Sequence, residues 1–248
     1  MFLTEIFEQS SPNYLVIYPG RFQPFHKGHR AVYDYLVKHY GRDNVFIATS
    51  NKVAPPKSPF SFSDKAVFMQ LTGIPMDRVL ETAEPYKAPE LVDRYPDQTK
   101  LIFAVSAKDM AEDPRFKSWI KKDGSPSYFQ PMPKNPKEMQ GKNSHGYILT
   151  VPTFEFTVLG QPMRSATEIR AQFAQADEKT QQMMVKDLFG AYNQDAHRIM
   201  RNALQEDAAG VGVIASKKQR KDPRYLNSLT VDIQPGAQRK MMRAMHLI

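Results

Sequence analysis

The chain has 248 residues, 41% of them hydrophobic, and no cysteine. That length can bury a core in one large domain, or in one domain with an appendage, and the missing thiols exclude a disulfide framework and a thiolate metal site and agree with a reducing compartment. The net charge is +8, but Lys217, Lys218, Arg220, Lys221, Arg224, Arg239, Lys240 and Arg243 against Asp222 and Asp232 put +6 of it into residues 215–248, so the near-neutral body gives no charge argument for nucleic-acid binding.

In chain order, the opening stretch MFLTEIFEQSSPN carries two glutamates and no basic residue, and does not read as a signal peptide. No apolar run approaches the ~20 residues of a membrane span, and the expected location is the cytoplasm. Tyr14–Tyr18 is a wholly apolar run of the kind a buried parallel strand makes. After a glycine-bearing turn, HRAVYDYLVKHYG reads as a helix from about His29, with Gly41 as its C-terminal glycine. NVFIATS (44–50) reads as a second strand, and SFSDKAVFMQLTG (61–73) as a helix with a serine N-cap and Gly73 at its end. DRVLET (77–82) and KLIFAVS (100–106) read as third and fourth strands. This alternation predicts an α/β fold, a parallel sheet with helices on both faces.

Residues 107–145 hold five prolines and break the pattern, so they read as an irregular insert. GYILTVP and FEFTVLG resume extended structure. SATEIRAQFAQA opens C-terminal helices over 165–206, with Ile199, Ala203 and Leu204 on one packing face. Residues 207–248 read as an extended basic tail, which leaves 1–206 as the domain.

The stretch GRFQPFHKGH (20–29) is the first candidate site. His26 and His29 stand three apart where a strand gives way to a helix, at the carboxyl end of a parallel strand. Gly20 lets the chain leave the strand, and Gly28 gives a ligand room to approach the backbone. The helix N-terminus, charge-assisted imidazole donors and the Arg21 guanidinium suit a polyphosphate. Alone, H-x-x-H is more often a structural or chance pair than a site, and as a zinc pair it lacks a third ligand.

The full ten-residue string resembles the signature of the nucleotidylyltransferase superfamily, the enzymes with a HIGH-type motif. Its form is similar to the G-R-F-Q-P-x-H-x-G-H of archaeal-type nicotinamide-nucleotide adenylyltransferases. RSATEIR (164–170) resembles the family's second phosphate motif, S-[SG]-T-x-[IV]-R, with Ala166 at the small middle position. Ser165, Thr167 and Arg170 would bind phosphates there, although Ser165 and Glu168 also make an ordinary capping box. The cytidylyltransferase form R-T-x-G-I-S-T is absent, which favours ATP over CTP. SPFSFSDK (58–65) resembles the N-P-F-[ST]-x-x-E-[RK] segment after the second strand, or is simply a capped helix start. AVSAKDM (104–110) falls where the family binds adenosine, with Ser106 in place of the usual glycine and Lys108 and Asp109 as ribose or phosphate candidates. Trp119, the only tryptophan, either stacks on the acceptor's base or covers the core.

The resemblance spans about residues 14–175 and implies a Rossmann-like nucleotidyltransferase fold. It implies attack by an acceptor phosphate on the α-phosphorus of ATP, with pyrophosphate leaving and no covalent enzyme intermediate. His26, His29, Arg21 and Arg170 are the implied catalytic residues, with further nucleotide contacts from Gly20, Phe22, Gln23, Lys27 and Gly28. Mg²⁺ is implied as the cofactor, held mainly by the nucleotide and water. The GRFQP string favours NMN as acceptor, giving NAD synthesis. Insert plus tail also resemble the cytidylyltransferase-like proteins of tailed phages, where the acceptor does not follow from the motif and the compartment would be the host cytoplasm. Two other classes stay open: a non-catalytic nucleotide-binding module acting through the basic tail in a phage assembly, and a nucleic-acid-binding protein working through that tail. IASKKQ (214–219) is similar to the lysine loop of class I aminoacyl-tRNA synthetases, but SATEIR already fills that role. A homo-oligomer is compatible with the family, and no membrane partner is expected.

Overall fold

The computed structural model describes residues 14–112, 119–163 and 165–209. The basic tail from residue 210, Arg164 and the segment 113–118 lie outside the described residues. Six strands form one sheet: β1 (Tyr14–Pro19), β2 (Val45–Thr49), β3 (Val79–Glu81), β4 (Lys100–Ser106), β5 (Phe129–Pro131) and β6 (Gly146–Val151), in the order β3-β2-β1-β4-β6-β5. Every pairing in it is parallel, from Val16 against Val45 to Ser106 against Val151. The chain steps outward from β1 to β3, then returns to place β4 on the other side of β1. The strand order therefore reverses between β1 and β4, and the carboxyl ends of these strands are where open α/β sheets bind ligands.

The apolar runs sort onto two faces with a period of two. Val16, Tyr18, Val45, Ile47, Ile102, Ala104, Tyr147 and Val151 face the larger cluster. That cluster includes residues of α1 (Lys27–Tyr40), α2 (Phe62–Leu71), α5 (Ala166–Gln175), α6 (Glu178–Phe189) and α7 (Gln194–Ala209). Leu15, Ile17, Ala48, Leu101, Phe103, Val105 and Ile148 face the other way. There the cover is thinner: Leu91 of the four-residue α3 (Pro89–Val92), Tyr86, Tyr95, Met110 of α4 (Ala107–Glu112) and Trp119. Both faces are flanked as the alternation predicts, but the C-terminal helices all load one of them.

Three boundaries differ from the sequence reading. α1 begins at Lys27, not His29, because His26 itself caps it. The region 107–145 is not structureless, since it contributes α4 and the edge strand β5, which pairs with β6 through Phe129–Gly146, Gln130–Tyr147 and Pro131–Ile148. α7 runs to Ala209, three residues into the stretch assigned to the tail.

Candidate functional site

The site starts with the end of β1. Gly20 leaves the strand with its N–H donating to Ala48 O at 3.0 Å. A Cβ on Gly20 would lie 2.6 Å from the Phe22 ring, so the residue type is set by that ring folding back over the backbone. Phe22 takes φ +48, a left-handed conformation unusual for a bulky side chain. Its ring is held by Tyr18, Phe25 and His29, with centroids 5.2, 5.3 and 5.0 Å away. The aromatic letters of the motif thus build the floor on which the histidines stand.

His26 is the N-cap of α1, and its Nδ1 accepts from Gly28 N–H at 3.2 Å. This fixes a tautomer: the proton of the neutral ring sits on Nε2, the nitrogen left free to donate. His29, in the first turn of the helix, stacks on His26 with centroids 3.7 Å apart. Its Nδ1 is buried without a hydrogen-bond partner among the described residues. Burial holds the His29 pKa down to about 3, and burial followed by the neighbouring His29 and Lys27 holds His26 well below the usual imidazole range. The sequence reading of two charge-assisted donors is therefore corrected. Near neutral pH, with no anion bound, both rings are neutral.

The second motif meets the first here. Ser165 caps α5 by accepting from Glu168 N–H at 3.3 Å. Arg170, one turn in, donates from Nη1 to Gln23 O at 2.6 Å and from Nη2 to Thr167 Oγ1 at 3.3 Å. Burial, and then the adjacent Arg21, lower the Arg170 pKa, so the two guanidinium groups lie close together. Neither has a carboxylate partner among the described residues. Two neighbouring cations without a carboxylate partner leave positive charge unneutralised here, which attracts anions.

Several residues read as nucleotide contacts have other work here. The Gln23 amide is buried and exchanges two bonds with the Phe60 backbone, Nε2 to Phe60 O at 2.9 Å and Phe60 N to Oε1 at 2.8 Å. It straps the SPF segment to the motif. Lys27 Nζ is paired with Asp187 of α6 at 2.9 Å instead of standing free at the entry. The space above Gly28 is taken by the Phe156 ring, which a Cβ there would meet at 2.8 Å, so that glycine accommodates a side chain and not a ligand. Ser106 Oγ donates to Asp109 Oδ2 at 2.9 Å and accepts from Asp109 N at 3.1 Å, a reciprocal cap at the start of α4. This cap stands at the carboxyl end of β4, and Asp109 lies near enough to Tyr18 to help burial raise the phenol's pKa. The side chain of Lys108 is outside the described residues. Trp119 packs on the second-face cluster, which is its core-covering role.

The SPF segment itself makes a firm wall. Ser61 caps α2 in a capping box with Asp64, accepting from Asp64 N while Asp64 Oδ2 accepts from Ser61 N at 2.9 Å. Lys65, 1% exposed, donates to Thr49 Oγ1 at 2.8 Å and to Ser50 O, closing off the end of β2, and burial lowers its pKa to about 8. Two functional-site neighbours were missed in the sequence, Phe156 and Asp187. Neither stands in a motif, and only tertiary packing brings them to residues 26–28.

Imidazoles, guanidinium groups and two helix N-termini gather at a topological switch point, groups of the kind that bind phosphate oxygens. Residues 17–136 match the family model described as cytidylyltransferase-like. A nicotinamide-nucleotide adenylyltransferase of Sulfurisphaera tokodaii is 23% identical over 175 residues, which cover 70% of this chain and 87% of that protein. Nicotinamide-nucleotide adenylyltransferase 1 of Sulfolobus acidocaldarius is 32% identical over 68 residues, covering 26% of this chain and 39% of the relative, so the match spans well under half of that protein. Among solved structures the chain is similar to a bifunctional NMN adenylyltransferase/ADP ribose pyrophosphatase from Francisella tularensis, with a TM-score of 0.47, 16% identity and coverage of 79% of this chain and 54% of that one. The chain is thus similar to a cytidylyltransferase-like family over residues 17–136 and to archaeal nicotinamide-nucleotide adenylyltransferases.

Proposed function

We propose that the protein is an adenylyltransferase that moves AMP from ATP to a phosphorylated acceptor, with NMN the acceptor favoured by the GRFQP motif and by the named activity of the archaeal relatives. The observation that carries this reading is the junction of the two motifs. Arg170 is hydrogen-bonded to Gln23 O, so residues 147 positions apart in the chain face one anion site. An oxygen of the acceptor phosphate attacks the α-phosphorus, the bond from that phosphorus to the bridging β oxygen breaks, and pyrophosphate carries the electron pair away. The protein's part is positioning and electrostatic stabilisation. Arg21 and Arg170 supply the permanent positive charge, since the imidazoles are neutral before binding. His26 donates from Nε2 to a phosphate oxygen. His29 lies beside it, and a bound polyphosphate raises the pKa of both rings.

Mg²⁺ would come with the nucleotide and would neutralise part of the phosphate charge, leaving Arg21, Arg170 and the imidazoles to bind the remaining phosphate oxygens. Among the described residues no group of three or more His, Cys, Asp or Glu is placed to hold a metal ion. The groups gathered here are donors, which suit phosphate oxygens and not a cation.

The test is pyrophosphate release from ATP and Mg²⁺ with and without NMN, in wild type and His29→Ala. NMN-dependent release that drops roughly 10²–10³-fold in the variant is expected, the scale of losing one preorganised donor. Release with CTP or another phosphorylated acceptor would keep the chemistry and replace the substrate. Silence with every pairing would overturn the transferase reading.

A further inference from the structure

The segment between β6 and α5 folds into a hairpin, β7 (Phe156–Val158) against β8 (Gln161–Met163), turning through Leu159 at φ +51 and Gly160 at φ +75. Positive φ at both central residues is the two-residue turn that matches strand twist. Val158 and Met163 are buried and root the hairpin in the main core. Its tip is tied by Asp187 of α6, whose Oδ2 accepts from Leu159 N at 2.7 Å while its Oδ1 takes the Lys27 ammonium at 2.9 Å. Burial opposes the charge on Asp187, but the Lys27 and Leu159 donors outweigh it and hold the carboxyl below its usual range. One carboxylate thus joins the hairpin, α6 and the first residue of α1.

That tie sets where Phe156 stands. Its ring stacks on His26 with centroids 4.4 Å apart and an interplanar angle of 26°. His29 stacks on the same imidazole at 3.7 Å and 26°. Two rings this close cannot share a face, so they lie on opposite faces of His26. With Nδ1 accepting from Gly28 N–H and both faces stacked, the outer edge with Nε2 is the part of the ring left for a ligand. Gly28 is the complement of this arrangement, because any Cβ would strike Phe156 at 2.8 Å and the His26 ring at 3.1 Å.

We propose that Phe156 is a positioning residue for His26: the hairpin, fastened by the Lys27–Asp187–Leu159 tie, presses an aromatic ring onto the free face of the imidazole and so aims its Nε2–H. The role in catalysis rests on the adenylyltransferase reading. The geometric claim does not. Preorganisation of this kind is worth much to a donor, because small misplacements at a reacting centre cost large factors in rate.

The experiment uses the full chain with ¹⁵N-labelled histidine and three variants, Phe156→Leu, Phe156→Tyr and Asp187→Asn. In Phe156→Leu the His26 ring nitrogens should shift toward a mixture of tautomers, and the His26 titration midpoint should rise by about one pH unit or more as its cover is lost. His145 and His197 should keep their wild-type signals. Turnover with ATP and NMN should fall by roughly tenfold or more while KM for ATP changes little. Phe156→Tyr keeps the ring and should restore both readouts. Asp187→Asn, at a half-buried surface pair, should move His26 in the same direction by less. Wild-type His26 tautomer and midpoint in Phe156→Leu would overturn the proposal, as would failure of Phe156→Tyr to restore them. If Phe156→Leu does not fold, unchanged His26 signals in Asp187→Asn would overturn it. If wild type transfers nothing to any acceptor, the transferase reading fails alone, and the histidine spectra still decide the positioning.

Discussion

His26 and His29 are polar residues placed where water is scarce, and the consequence is a proton balance that differs between the folded and unfolded chain. In the unfolded chain both titrate near the ordinary value of about 6.5. In the folded protein His29 is pushed down to about 3 and His26 falls well below its usual range. Below about pH 6.5 the unfolded chain therefore binds more protons, and stability declines as pH falls toward the folded pKa; above that pH the contribution is fully present. The slope approaches roughly 1.4 kcal/mol per pH unit for each fully uncompensated imidazole. Urea midpoints at pH 7, 6 and 5 should fall in wild type and fall less steeply in His29→Gln. Equal slopes would mean that His29 is not depressed. At this scale the sequence shows residue type and spacing, but not the charge of the rings without an anion bound. The string GRFQPFHKGH announces two imidazoles beside a helix start, but their neutrality comes from Phe22, Phe25 and Phe156 packed around them, a matter of burial that spacing does not express.

Elements whose signals are local were legible. Ser61 was read as an N-cap because serine ahead of an apolar helix satisfies orphan amides, and the structure adds the reciprocal Asp64 bond. The Ser61 side chain is buried and also contacts Ser63 Oγ at 2.9 Å. Ser61→Ala should therefore cost about 1–2 kcal/mol, at the upper end for caps, read as a lowered urea midpoint with an unchanged denaturant slope. A loss within error would show that the box is solvated. The start of α1 was misplaced because its cap is a histidine, outside the usual cap set. β5 was missed for a different reason. Three residues ending in Pro131 carry almost no strand signal, and the strand exists because Gly146–Ile148 offers it a parallel edge. Of the hairpin only β7, within FEFTVLG, was foreseen as extended chain, because Leu159 at positive φ is a poor advertisement for a turn and β8 follows it.

Over the whole molecule, the switch between β1 and β4 decides where the site lies, and the C-terminal helices decide what reaches it. α5 brings Arg170, α6 brings Asp187, and the hairpin between β6 and α5 brings Phe156. Gln181 of α6 and His197 of α7, both buried and 3.2 Å apart, help lock these helices together, with Gln181 Nε2 donating to Phe173 O of α5 at 3.0 Å. Every candidate site residue falls between positions 20 and 170 and the neighbours Phe156 and Asp187 also precede Ala209, so a chain ending at Ala209 should keep the turnover of the full chain in the pyrophosphate assay. Loss of turnover on that truncation would make the basic tail part of the working site.

The sequence by itself determined the four buried strand runs from β1 to β4, the alternation of helices and strands around them, and the two motifs that carry the resemblance to nucleotidylyltransferases, because buried strands, caps and motif spacing are written in neighbouring letters. Tertiary structure alone decided that Gln23 holds Phe60, that Lys27 belongs to Asp187, that the histidines are neutral and that Phe156 covers His26. Those outcomes depend on desolvation and on contacts between residues as many as 160 positions apart, and the competition among partners is settled only when the chain closes around them.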